Sequence, residues 1–207
     1  MGFTGNIARD RAILGRLLNR LALPSTLLSL LVAHAEAVRA AGSRLGLISP
    51  GDAEVIVPRH TADSLLFALA RTPRTAERWL DVGSGAGFPG FVLACCYPNC
   101  SFTLLEPLKR RAGFLELMAS DLGLANVAID TRRLEGVRSE FDVAVARAFD
   151  APTTALEALL GAVVLGGEAI VAVGSDAVIE GPAKLVAVEI PRDVDSPGLF
   201  SMMTREA

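Results

Sequence analysis

Asp81-Val82-Gly83-Ser84-Gly85-Ala86-Gly87-Phe88-Pro89-Gly90 is the stretch on which the fold turns. It follows Trp79-Leu80, so residues 79–82 read as a short apolar strand running straight into a glycine loop. Glycines at a strand-to-helix turn accept positive φ and let the backbone approach a ligand with no Cβ in the way. Two kinds of ligand use such a turn. A dinucleotide fingerprint, G-x-G-x-x-G, needs glycine at position 88, where this chain carries Phe88. The pattern is instead D-x-G-x-G-x-G. Asp81 stands where it could meet a ligand that lacks a pyrophosphate and has a cationic amino-acid end.

A second acid sharpens that reading. Glu106 comes directly after the apolar run 101–105, 19 residues beyond Gly87. An acid at the tip of the second strand is placed to accept hydrogen bonds from both ribose hydroxyls. A nucleoside with an amino-acid tail satisfies both acids, and S-adenosyl-L-methionine is the expected cofactor. Gly83, Ser84, Gly85 and Gly87 form its expected cradle.

Around this loop the chain alternates strand, turn and helix. Strands are predicted at residues 79–82, 101–105, 127–130, 143–146 and 169–173, with helices at 90–97, 109–122 and 153–165. That order implies parallel strands joined by crossover helices. Two last strands, 185–190 and 199–204, close the chain across a short loop at 191–198. The fold class is α/β, a doubly wound, mostly parallel seven-stranded sheet. Upstream, Ile13, Leu14, Leu17, Leu18 and Leu21 recur at helical spacing in a helix at 10–23. A second helix is predicted at 27–41, ending at Gly42, and a third at 57–70, opened by His60. The expected division is an N-terminal helical extension over 1–75 and a cofactor-binding domain over 76–207.

Half of the chain, 51%, is hydrophobic, and this raises the possibility of a membrane span. The most apolar stretches, 21–38 and 156–173, are interrupted by Pro24, His34 and Glu36 and by Gly161, Gly166, Gly167 and Glu168. Neither offers about 20 uninterrupted apolar residues. A sheet covered on both faces accounts for the excess better. No basic-then-apolar leader opens the sequence, so the cytoplasm is the expected compartment. Cys95, Cys96 and Cys100 cluster with no second Cys/His group, so free thiols are expected and no metal. A monomer is the expected state. Net charge is −3, unevenly spread: residues 1–75 balance at +4, 76–135 at −1 and 136–207 at −6. The basic first third could face a phosphate backbone or could be an ordinary solvated surface.

The acceptor is read by exclusion. No Asn/Asp-Pro-Pro-aromatic stretch follows the fourth strand, where Ala146-Arg147-Ala148-Phe149 stands, and no cysteine sits on a strand tip to act as a nucleophile. An acceptor that is already nucleophilic, such as guanine N7, needs alignment rather than a general base. Several small-molecule methylations share that property.

Four motifs taken together resemble one family. Arg59-His60-Thr61-Ala62-Asp63-Ser64-Leu65, the loop 81–90, Lys109-Arg110-Arg111 with Phe114-Leu115, and Ala146-Arg147-Ala148-Phe149 are similar to the bacterial 16S ribosomal RNA guanine-N7 methyltransferases, also called glucose-inhibited division protein B. The resemblance covers roughly residues 45–175. It implies a class I, Rossmann-like methyltransferase fold and a 16S ribosomal RNA or 30S particle as partner, with no membrane. By matching position, Gly83, Phe88, Leu134, Glu135 and Arg147 correspond to cofactor contacts, with Glu106 near the ribose. Arg147 and Asp63 are the catalytic candidates, although Asp63-Ser64 reads more readily as an internal polar tie of the helical region. Arg110, Arg111 and Arg133 are candidate RNA contacts, or, for the first two, a solvated helix turn. The chain departs from the family at Val173-Gly174, where a lysine precedes the glycine in relatives, and at Pro197-Gly198-Leu199-Phe200, which replaces a basic pair. Two further readings remain open: an offshoot acting on another nucleic acid or a small molecule, and a non-catalytic cofactor-binding regulator.

Overall fold

The computed structural model describes residues 4–147, 151–177 and 181–206 of the chain. Five strands pair in parallel: β1 (Arg78–Val82), β2 (Ser101–Leu105), β3 (Val127–Asp130), β4 (Phe141–Ala146) and β5 (Val163–Val173). Two more, β6 (Lys184–Ala187) and β7 (Leu199–Thr204), run antiparallel at the far edge. The sheet order is β3-β2-β1-β4-β5-β7-β6. The chain winds outward from β1 to β3, then returns to lay β4 on the other side of β1. That reversal makes the ends of β1 and β4 a topological switch point, where sheets of this kind open a crevice. The seven-stranded doubly wound outline matches the expectation.

Alternation along β1 explains the two layers. Trp79 and Asp81 face one side, Leu80 and Val82 the other, as a strand's period of two requires. On Trp79's side pack α1 (Thr4–Arg20), α2 (Leu28–Leu45), α3 (Ala62–Ala70), α4 (Gly90–Cys96) and the apolar residues of α5 (Lys109–Asp121). On the other side α6 (Pro152–Leu160) buries Ala155, Leu156 and Leu159 against Leu80, Ala144 and Ala169. Ile13, Leu14, Leu17 and Leu18 of α1 are fully buried and belong to the same apolar cluster as Trp79 and Phe102. Among the described residues no helix is long and apolar enough to cross a membrane. Cys95, Cys96 and Cys100 are buried free thiols.

Several boundaries differ from the sequence reading: the first helix spans Thr4–Arg20 rather than 10–23, and the strand read at 185–190 ends at Ala187. Gly42 does not end α2. The helix runs to Leu45, and Gly46, with φ at 65°, supplies the left-handed cap whose N–H reaches the Gly42 and Ser43 carbonyls. Gly42 is instead a packing position: a Cβ there would lie 2.5 Å from Ile48 Cγ1. The third helix is not continuous either. Residues Ile56–Thr61 form a π-helical turn before α3, and the Pro58 carbonyl accepts the Asp195 N–H at 2.8 Å, a donor from outside the helix. Lastly, β5 begins at Val163, inside the segment read as helix 153–165, with α6 ending at Leu160. Val163 and Val164 are β-branched, and Val163 pairs with Phe141 before a register shift that ends where Glu168 pairs with Val143.

Candidate functional site

At the switch point a cleft of about 500 Å³ opens, within the range of small-molecule sites. Its floor is the glycine loop: Gly83, Ser84, Gly85, Ala86 and Phe88. One wall comes from the N-terminal helical region, with Gly46, Leu47, Ile48, Ser49, Asp52 and His60. The other comes from Arg111 and Arg147. Gly83, Gly85 and Gly87 all have positive φ, at 72°, 57° and 94°. A Cβ on Gly83 would meet nothing within 4 Å and would point into open space, whereas one on Gly87 would lie 2.6 Å from Phe91 Cβ. The first glycine therefore leaves the floor bare for a ligand, and the third packs the loop onto α4. His34 secures the loop from beneath: its Nε2 lies 2.8 Å from the Ala86 carbonyl, and its ring stacks on Phe91.

The two acids flanking the loop take structural contacts. Asp81 is 1% exposed, and its Oδ2 accepts the Gly90 N–H at 3.0 Å while Oδ1 has no hydrogen-bond partner among the described residues. A Cβ on Gly90 would fall 2.6 Å from Asp81 Cβ, so only glycine lets α4 start this close to the carboxyl. Burial pushes the Asp81 carboxyl up to about 6. Glu106 is also buried. Its Oε2 accepts the Gly85 N–H at 3.0 Å and its Oε1 accepts the Leu108 N–H at 2.9 Å, which couples the tip of β2 to the glycine loop. Arg111 Nη1 stands 4.0 Å from it.

A half-buried ionic cluster joins the two walls. Arg147, at the end of β4, donates from Nη1 to the His60 carbonyl at 3.1 Å and from Nη2 to His60 Nδ1 at 2.7 Å. Its Nη1 also lies 3.2 Å from Asp63 Oδ2, and its guanidinium carbon sits 5.6 Å from the centre of the Phe88 ring. The donation to Nδ1 assigns the His60 proton to Nε2, which faces Asp52 Oδ2 at 3.7 Å. Burial, aided by the adjacent Arg147 charge, holds His60 neutral by bringing its pKa down to about 4. The His60 ring stacks on Phe88 at 5.4 Å. Burial raises the Asp63 carboxyl, opposed by Arg147 and by the hydroxyl of Ser196.

Of the residues singled out in the sequence, Gly83, Ser84, Gly85, Phe88, Arg111 and Arg147 line the cleft. Asp63, Asp81, Gly87 and Glu106 lie behind that lining as supports. Arg110 lies over Gly46, its Nη2 2.9 Å from where a Cβ would be, at the rim of the cleft. Leu134 and Glu135 sit on a single 3₁₀ turn after β3, and with Arg133 they are outside the lining. Ala148 and Phe149, part of the fourth motif, fall outside the described residues. The sequence reading assigned no site role to Ser49, Asp52 or His34. Arg147 reaches His60 across 87 positions of chain, a distance no local pattern reports.

A family model described as "rRNA small subunit methyltransferase G" matches residues 27–184, from just before α2 to the start of β6. A ribosomal RNA small subunit methyltransferase G from Clavibacter michiganensis is 38% identical over 138 residues, 66% of this chain and 64% of that protein. One of the same name from Acidothermus cellulolyticus is 40% identical over 119 residues, 58% of this chain and 53% of that one. The matched part thus spans less than two thirds of these relatives' length. Among solved structures, a methyltransferase from Geobacter sulfurreducens superposes with a TM-score of 0.55 at 16% identity, over 84% of this chain and 88% of that one. An S-adenosylmethionine-dependent O-methyltransferase from Thermotoga maritima gives 0.51 at 18%, over 70% and 65%. These two likenesses are of fold. The family match is broader in meaning, because it runs unbroken through the helical wall, the glycine floor and the strand that ends in Arg147: the chain belongs to the rRNA small subunit methyltransferase G family.

Proposed function

We propose that this protein is a cytoplasmic S-adenosyl-L-methionine-dependent methyltransferase that modifies N7 of a guanine in 16S ribosomal RNA, on naked RNA or the 30S particle. The observation that carries the reading is the cleft at the switch point, floored by glycines that present bare backbone and walled by the His60–Arg147–Asp63 cluster. The fit to the cofactor rests on Gly83, where the space a Cβ would take is open. Gly83, Ser84, Gly85 and Phe88 would hold it, with Arg147 on the opposite wall, Glu106 and Asp81 bracing the loop, and Leu134-Glu135 at the third strand. The cofactor supplies a methyl group on a sulfonium.

The protein's part is binding and alignment. Guanine N7 brings its own lone pair, so no residue has to remove a proton before transfer. Neutral His60 and the paired Arg147 accordingly suit a site that orients rather than one that shuttles protons. Exposed Lys109, Arg110 and Arg133, together with cleft-lining Arg111, provide positive charge for a phosphate backbone. The test is transfer of labelled methyl from the cofactor to 30S particles, naked 16S RNA and a small-molecule extract. Label is expected in RNA, at guanine N7. Label in the extract alone would refute the acceptor, and cofactor binding with no transfer anywhere would favour a regulator.

A further inference from the structure

Residues 188–198 join β6 to β7, beyond the stretch that the family model matches, yet they reach back to the wall of the cleft. The Asp195 N–H donates to the Pro58 carbonyl at 2.8 Å, and its carboxylate accepts from Arg59 Nε at 2.8 Å. Both partners lie in the π-helical turn that carries His60. The Ser196 hydroxyl donates to Asp63 Oδ1 and in turn accepts the Gly198 N–H at 3.1 Å. That second bond occupies a lone pair of the hydroxyl oxygen and leaves its hydrogen for the carboxylate. Asp63 Oδ2 then faces Arg147 Nη1 at 3.2 Å, and Arg147 forms part of the cleft lining.

We propose that Ser196 is a positioning residue for Arg147, acting through Asp63 to hold the guanidinium on the cleft wall. The assignment rests on the reading of that cleft as a cofactor and acceptor site. Asp63 is buried, and burial favours its protonated form. Once protonated it would leave the half-buried Arg147 without its nearest counter-charge. Arg147 at the end of β4 is the charged group facing Asp63. Ser196 from the tail and His60 on the far side of Arg147 are neutral partners, and Asp81 and Asp52 act on Arg147 from below and beside it. A hydrogen bond from Ser196 to the charged carboxylate therefore tips Asp63 towards the form that retains Arg147.

Ser196→Ala removes that bond, and Ser196→Thr keeps a hydroxyl in its place. Two readouts separate positioning from mere support: the carbon-13 titration of the Asp63 carboxyl in the unliganded protein, and calorimetric binding of S-adenosylhomocysteine across roughly pH 5 to 8. In Ser196→Ala the Asp63 midpoint is expected to rise by about half to one pH unit, the acid limb of binding to move the same way, and affinity on the acid side of the midpoint to fall roughly three- to tenfold with little change well above it. Ser196→Thr is expected to restore all three. An unmoved titration, or a loss of affinity equal at every pH, would overturn the proposal. If the wild type bound no cofactor at any pH while the titration still moved, the cofactor reading would fall and the relay to Asp63 would stand.

Discussion

At the residue scale Asp81 carries the most stored consequence. Its carboxyl is buried beneath the loop, with one oxygen on the Gly90 amide, and burial raises its pKa from 3.8 to about 6. The folded state therefore binds this proton more tightly than the unfolded state does. The stability so gained is complete below about pH 4 and is lost as pH rises through about 6, amounting to about 3 kcal/mol at most. Asp81→Asn is expected to flatten that part of the profile, checked by urea unfolding of both proteins between about pH 4 and 7.5. Equal slopes for the two proteins would sink the argument. Asp81 and Glu106 were legible as a pair because strand tips lie near one another in a parallel sheet. Their present partners were not legible. Spacing places a carboxyl near the glycine loop, but whether it meets a ligand or the amides of Gly90 and Gly85 depends on ångström-scale backbone position. His60 was readable as a motif residue and not as the partner of Arg147, since that contact is made by tertiary packing alone.

At the scale of elements, the alternation of strands and helices around the loop could be read directly, because the pleat's period and the helix's period bury different residues. What resisted reading were the ends. The π-helical turn at Ile56–Thr61 and the early start of β5 are both set by neighbours: the tail backbone against Pro58, and Phe141 against Val163. A single side chain couples three of these elements. Arg71, just after α3, donates from Nη2 to Glu77 Oε1 at 2.6 Å and from Nε to Glu168 Oε2 at 2.8 Å, with its guanidinium 5.4 Å from the Trp79 ring. It thereby joins the helical wall to the start of β1 and to β5. Arg71→Leu would strand two partly buried carboxylates and is expected to cost about 3–5 kcal/mol in chemical denaturation. A cost under about 1 kcal/mol would show that solvent already supports this cluster.

At the scale of the molecule, the charge asymmetry seen along the chain resolves into internal pairing. Arg16 meets Asp193, Arg20 meets Glu189 and Arg59 meets Asp195, so acids of the last third neutralise part of the basic surplus of the first. A sum over segments cannot reveal this, because it does not know which segments touch. Lys109, Arg110 and Arg111, on the first turn of α5, keep positive charge at the cleft rim. The buried cysteines follow from the same close packing and have a kinetic use. Burial pushes the Cys96 thiol up to about 12 and raises those of Cys95 and Cys100 as well. Such thiols are protonated at neutral pH and shielded from reagents until α4 leaves the sheet. Pulse labelling with a thiol reagent concentrated enough to outpace reclosing is thus expected to modify Cys95 and Cys96 together, at the rate at which the protein opens. Prompt labelling of either in the folded protein would contradict it. The chain therefore carries an intrinsic timer of its own unfolding, set in the helix that follows the glycine loop.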